Sequence, residues 1–484
     1  MAVQERFPLL LAVIAVLAVF TGCGGGSLSF PPPQGTFTNA SLNGPFAFSY
    51  TGSDGRGFLA VAGSFQADGA GHITAGMQDI NSGFGIFTNS PVTGTYAVRA
   101  DGRGSANLNS PAGNTTIDFV IVASGHALIT RFDANASGSG TIDQQTTSAF
   151  SNTALAGTFA FNLSGIDGLT NPLAVAGNLT SDNTGTITSG VDDSNDNGGV
   201  VINDPLTGTI PVNSNGRGAA TVNTVRGTLT FAFYVVDANH LKLVEVDAAP
   251  VLGGEAFRQT GPFSNASLSG PFAFTVAGAD AATPGPSAMG GTVVLDGAGT
   301  VTSGSADLND AGSVVTNIAV PGTYSMAANG RGTLTLVSGL QTFHFVIYPS
   351  SQGVLALETD PRFITTGTAL QQQSTPFSGG SLSGNYGLNF TAISSTSELD
   401  AIAEFAADGA SKVSGIIDLN DNGGITFGQP LSGNFSVSAN GRALLNLQTP
   451  LGTQNMVMYM VNGNRALFIE LNSSLVAAGD IRHQ

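Results

Sequence analysis

One motif returns four times along this chain. Phe37-Thr-Asn-Ala-Ser-Leu-Asn-Gly-Pro-Phe-Ala-Phe recurs from Phe150 and Phe263 and, more loosely, from Phe377, at intervals of 113, 113 and 114 residues. Other landmarks keep step with it. Asp68-Gly-Ala-Gly reappears at Asp296, with variants at Asp182 and Asp408. Asp101-Gly-Arg-Gly becomes Asn215-Gly-Arg-Gly, Asn329-Gly-Arg-Gly and Asn440-Gly-Arg-Ala. Four landmarks in one order, four times, define four copies of one domain.

Within a copy the hydrophobic period is two. Phe46, Phe48 and Tyr50 alternate with small residues, as do Phe159, Phe161 and Leu163 in the second copy. A later segment alternates Ile117, Phe119 and Ile121, and its last counterpart alternates Met456, Met458 and Met460. Such alternation puts one face of a strand in a core and the other toward water. Asn-Gly and Asp-Gly pairs supply the positive φ that tight hairpins require. No segment beyond the N-terminus carries a helical period. The expected fold is therefore all-β, with about eight antiparallel strands in each repeat.

A meander of that size closes most easily into an up-and-down barrel, which leaves no strand edge exposed; a two-sheet sandwich is the alternative. In strand number and Gly-x-aromatic openings the repeat is similar to the small avidin and lipocalin barrels. The chain has no Trp, which those families place near the barrel opening. The resemblance therefore implies the fold and not their ligand chemistry.

The N-terminus reads as an export signal, with Arg6 before an apolar run from Pro8 to Phe20 that is too short to span a bilayer. Phe20-Thr-Gly-Cys23 and the Gly-Gly-Gly-Ser that follows resemble the lipobox of bacterial lipoproteins, which implies lipid on Cys23, the only cysteine in the chain. Residues 1–22 are then the signal peptide and 23–36 the anchor and Gly/Pro-rich tether. The repeats are expected at 37–146, 150–260, 263–374 and 377–484. The joints are short, such as Gln144-Gln-Thr-Thr147 and Gln259-Thr-Gly-Pro262, which predicts a semi-rigid rod.

Net charge is −17 with only 15 basic residues, which disfavours nucleic acid as a partner. Few residues offer chemistry. Asp193-x-Asn195-x-Asn197-Gly198 and Asp418-x-Asn420-x-Asn422-Gly423 fit the opening of a calcium loop. Position twelve is Asp204 in the first but the neutral Gln429 in the second, so plain Asx-stabilised hairpins are preferred and no metal is expected. Arg103, Arg217, Arg331 and Arg442 stand at the same hairpin in every copy. They could clamp a carboxylate or sugar, or form salt bridges within the protein to a neighbouring hairpin or to Glu245, Glu358 or Glu470. Glu245-x-Asp247 and Glu358-x-Asp360 place two carboxylates on one strand face, as a hydrolase could use, but the first copy has Arg131 and Asp133 there. His126 and His240 align with Val354 and Arg465, which fits neither a metal site nor a general base.

The function expected from this is a non-enzymatic cell-envelope lipoprotein without a cofactor. It would present four domains for binding, adhesion or structure, with an envelope protein or polysaccharide as partner. A carrier with one small-molecule or glycan pocket per barrel is the alternative, and a secreted hydrolase ranks last. Localisation would be lipid-anchored, at the outer membrane or cell surface.

Overall fold

The computed structural model describes residues 36–339, 341–373, 375–394 and 397–484. The signal segment, Cys23 and the tether to residue 35 lie outside the described residues. In the first repeat the chain forms β1 (Asn43–Asp54), β2 (Gly57–Asp68), β3 (His72–Ser82), β4 (Gly85–Pro91), β5 (Thr93–Val98), β6 (Arg103–Asn109), β7 (Thr115–Ala123), β8 (His126–Arg131) and β9 (Ala136–Gln144). Each pairs antiparallel with its successor except across the β4–β5 break, where β3 pairs with both β4 and β5. Pairing of β1 with β9 closes the barrel. A bulge inside β4 opposite Gln78–Ile80 has Asn89 at φ 52°, and only Val92 separates β4 from β5, so these two are one passage of chain and the barrel has eight staves. In the fourth repeat that passage is the single strand Gly424–Val437.

The alternating residues fill the interior. Phe46, Phe48, Phe65, Ile117, Phe119 and Ile121 form the core of barrel 1, and Met456, Met458 and Met460 line the inside of barrel 4 with Phe405 and Phe468. The interiors are nearly solid: the cavities in barrels 2 and 3 measure about 60 and 40 Å³. The up-and-down barrel is the fold, in four tandem copies. No helix among the described residues is long and apolar enough to cross a membrane.

The outer faces depart from expectation. Alternation led us to expect water against the second face of each strand, yet Ala47, Ala60 and Ala62 on the outside of β1 and β2 are buried against Ala232, Tyr234 and Val236 of barrel 2. Ala160, Ala174 and Ala176 meet Val346 and Tyr348 of barrel 3, and Ala273 and Ala288 meet Val457 and Tyr459 of barrel 4. The series continues past the fourth copy: Ile402 of barrel 4 packs on Val120, Val122 and Leu128 of barrel 1. One contact repeated four times and returning to its start defines a ring with four-fold pseudo-symmetry. The short joints do not extend the chain into a rod; they let it close.

The linkers join this closure. Gln145 Nε2 donates to Val235 O of barrel 2 at 2.6 Å, Gln259 Nε2 to Pro349 O of barrel 3 at 2.7 Å, and Gln372 Nε2 to Met460 O of barrel 4 at 2.7 Å. Gln484 Nε2 donates to Asp101 O and Ile121 O of barrel 1 at 2.9 and 3.1 Å. An up-and-down order puts these linkers, with the β2–β3, β5–β6 and β7–β8 turns, at one end of every barrel. The β1–β2, β3–β4, β6–β7 and β8–β9 turns occupy the other end.

Candidate functional site

The repeated arginines are joint residues. Arg217 of barrel 2 reaches Asp79 of barrel 1 through Nε and Nη2 at 2.8 and 2.6 Å. Arg331 holds Asp193 at 2.8 and 2.7 Å, and Arg442 holds Asp307 at 2.9 and 2.5 Å. All three aspartates are fully buried. A tyrosine on the strand beside each arginine, Tyr234, Tyr348 or Tyr459, donates its hydroxyl to the same carboxylate. Burial and the adjacent carboxylate raise the pKa of these hydroxyls, so they remain donors. The carboxylate also accepts the amide of its own barrel's bulge residue: Asn89 for Asp79, Asn203 for Asp193 and Asn317 for Asp307. Each aspartate therefore ties a bulge in its own wall to two side chains of the next barrel. Arg217, Arg331 and Arg442 face a neighbouring barrel rather than solvent.

The asparagine two residues on completes the joint. Asn195 Nδ2 donates to Glu358 O, Asp360 O and Phe363 O at 3.2, 2.9 and 3.0 Å. Asn81, Asn309 and Asn420 do the same at the other three joints. Asp193 and Asn195 of the calcium-like loop are thus occupied by protein groups. The Glu-x-Asp pairs serve the β8–β9 loop: Glu245 Oε1 accepts the Asp247 amide, while the Asp247 carboxylate accepts the Thr230 amide. Burial pushes Glu245 up to about 9, and the Asp247 carboxylate beside it adds to the rise.

The closing joint between barrels 4 and 1 is built differently. Val120 stands opposite Arg103 where Tyr234 stands opposite Arg217. Arg103 turns to its own Asp101 at 3.0 Å and lies 3.6 Å from Asp418. Glu404 fills the position of Asn178 and Thr292 in barrels 2 and 3, and both its oxygens are buried without a hydrogen-bond partner. Asp118 Oδ2 and Asp400 Oδ2 are buried and unpartnered as well. Burial, with Asp101 adding to it, pushes Glu404 up to about 8; burial takes Asp118 to about 7. Glu398, buried beside Asp400, rises to about 8.

A further charged group bridges barrels 1 and 2. Lys242, fully buried, donates to Thr141 Oγ1 at 2.6 Å and lies 2.8 Å from both Asp143 and Glu255. Asp143, His240 and Glu255 bring possible ligand atoms within 4.8 Å of one another, but the Lys242 ammonium already bonds both carboxylates. Against its burial, Lys242 holds Asp143 well below the usual carboxylate range. His126 bonds Asp143 at 2.6 Å, and His240 stacks on Phe257.

The space large enough for a ligand lies on the ring axis. A cavity of about 780 Å³ opens between barrels 2, 3 and 4 at the turn end, lined by Asn171, Asn197, Ala279, Pro286, Ile393 and Ser473 among others. A second chamber of about 310 Å³ shares Gly165, Pro172, Ala279 and Ile393 with it and adds Phe58 of barrel 1. A third, of about 280 Å³, shares Ser164 and Thr366 with the second. All four barrels line these chambers, which have walls in common. Sequence reading could not find them, because their lining is small, ordinary residues assembled from distant repeats.

No family model matches the chain, and no curated protein matches it. Among solved structures it is similar to the vaccine antigen Transferrin Binding Protein B from Haemophilus parasuis, with 10% identity, 76% of this chain and 85% of that chain covered, and a TM-score of 0.19. The intact Ap-TbpB structure with its N and C lobes gives 8% identity, 74% and 83% coverage, and a TM-score of 0.18. Likeness at that level carries no functional argument.

Proposed function

We propose that this chain is a non-enzymatic cell-envelope lipoprotein, held at a membrane through lipid on Cys23, whose ring of barrels serves binding. The observation that carries this reading is the unlike character of the two ends of the ring. The described chain begins at residue 36 on the end that carries all three linkers, so a tether from Cys23 leaves the opposite end clear. That free end is made of turns, and Phe84, Leu169, Val225 and Leu451 are exposed on it. Apolar tips gathered on one face suit contact with an envelope protein or polysaccharide. Catalysis has little support, since the arginines, the Asp-x-Asn pairs and Lys242 are engaged in joints between barrels.

The test has two parts. The acylated protein should enter the detergent phase on partitioning, and Cys23→Ser should stay aqueous. On a panel of immobilised glycans and purified envelope proteins, the four-barrel protein should bind at least one member and turn none over. Aqueous partitioning of the wild type would refute the anchor, and substrate turnover would refute the binding role. A second reading, carriage of a small molecule, is favoured by the axial cavity; the interiors of barrels 2 and 3, at about 60 and 40 Å³, leave no room for a ligand in either.

A further inference from the structure

We propose that the axial channel is a single binding site, formed only by the closed ring, for one elongated, uncharged molecule with an apolar middle and polar ends. The inference deepens the carrier reading above and does not depend on the lipid anchor.

The volume is of the right order. The outer chamber, at about 780 Å³, falls within the roughly 300–1,000 Å³ of small-molecule sites, and the inner chambers extend it along the axis. The lining decides the chemistry. At the mouth stand neutral polar groups, Thr170, Asn171, Asn197, Ser473 and Ser474. In the second chamber the walls are apolar, with Phe58, Ala174, Ala277, Ile364 and Ala477, and in the innermost they turn polar again, with Ser49, Ser139, Thr141 and Asn162. Only two charged side chains touch the three chambers, and each already has a cation, which it shares with a second carboxylate, Asp310 in one case and Asp143 in the other. Asp280 in the outer chamber is held by Arg362 at 2.7 and 2.9 Å. Glu255 in the innermost is held by Lys242 at 2.8 Å. An anion would lose its hydration there facing carboxylates, and a cation would have to displace Arg362 or Lys242, whereas an apolar chain loses nothing. A polar mouth, an apolar second chamber and a polar innermost chamber suit a ligand with polar groups at both ends.

The composition makes the test clean, because the chain has no Trp and a single Cys. The probe is N-phenyl-1-naphthylamine, an uncharged dye that brightens in apolar surroundings, added to the full mature chain carrying Cys23→Ser. Saturable brightening with one dye per chain is expected. Thr366 lines both inner chambers, and Thr366→Trp should abolish most of that signal with the thermal midpoint retained. Should Thr366→Trp fail to fold, two reporters give the answer alone. Ile393→Trp, shared by the outer and second chambers, should lose its emission to the bound dye, and Val294→Trp, outside every chamber, should not. The anionic analogue 1-anilinonaphthalene-8-sulfonate should bind at least tenfold more weakly. Absence of saturable brightening, brightening that survives a folded Thr366→Trp, or equal transfer from both reporters would overturn the site. Equal affinity for the anionic dye, or displacement of the neutral dye by neutral oligosaccharides, would overturn the ligand class. None of these readouts bears on detergent partitioning, so the two proposals fail separately.

Discussion

At the scale of single residues, the buried aspartates decide whether neighbouring barrels stay together. Asp193 is fully buried and its oxygens are divided among Arg331, Tyr348 and the Asn203 amide. Removing the cation leaves a buried carboxylate with neutral donors alone, and breaking a buried pair in this way costs about 3–5 kcal/mol. Arg331→Ala should therefore lower stability by roughly 3 kcal/mol in urea unfolding. Arg103→Ala should cost clearly less, because Arg103 leans on its own Asp101 and stands 3.6 Å from Asp418. Equal losses for the two variants would show that the fourth joint resembles the others. Both halves of the joint were legible in the sequence, as an arginine row and as an Asp-x-Asn motif. What the sequence hid is that they meet, since the partners lie 135–138 residues apart and belong to successive copies. The salt bridge to a neighbouring hairpin considered from sequence is close in kind to what forms, with the neighbour in another barrel.

At the scale of strands and loops, the period-two pattern read the barrel correctly and its surroundings incorrectly. Aromatic residues point inward as alternation requires, but the residues between them are often Ala and Gly rather than charged groups. That shortage of polar side chains on the outer face of β1 and β2 was the sign that the face is covered. Ala47, Ala60 and Ala62 are small because Tyr234 and Val236 lie on them. Two outcomes follow. Residues 262–374 expressed alone should form a cooperatively unfolding barrel with a lower thermal midpoint than the whole ring, because isolation bares the faces around Ala273 and Tyr348. A midpoint equal to that of the ring would mean the joints add nothing. Millimolar calcium should leave the midpoint of the whole protein unchanged, because Asp193 and Asn195 already bond Arg331 and three carbonyl oxygens of barrel 3. A rise that chelator reverses and Asp193→Ala abolishes would mean those groups release the protein for the ion.

At the scale of the whole molecule, the ring has one joint that no linker spans, and that joint gathers a cluster of buried acids. Glu404, Asp118 and Glu398 sit at about 8, 7 and 8, with Asp400 and Asp418 also raised, and only Arg103 and Arg99 face them as cations beside Asp101. Carboxylates exposed by opening would return to roughly 4. The closed ring therefore binds more protons than the open one, and linkage makes closure less favourable as pH rises. The contribution is fully present below about pH 4 and is lost as pH climbs through 7 to 8. The other three joints hold their aspartates with bidentate arginines and each carries one raised glutamate, Glu245, Glu358 or Glu470, where the closing joint gathers several raised acids. Barrels 4 and 1 should thus separate first, with the chain still folded. Small-angle scattering of the Cys23→Ser protein between pH 5 and 9 should show the radius of gyration increasing toward the alkaline side, with unchanged circular dichroism. Glu404→Gln combined with Asp118→Asn keeps the shapes and removes two of the ionisations, so its radius should change much less over the same range. A radius constant from pH 5 to 9 in the parent, or an equal increase in both proteins, would show that these acids do not govern the closing joint.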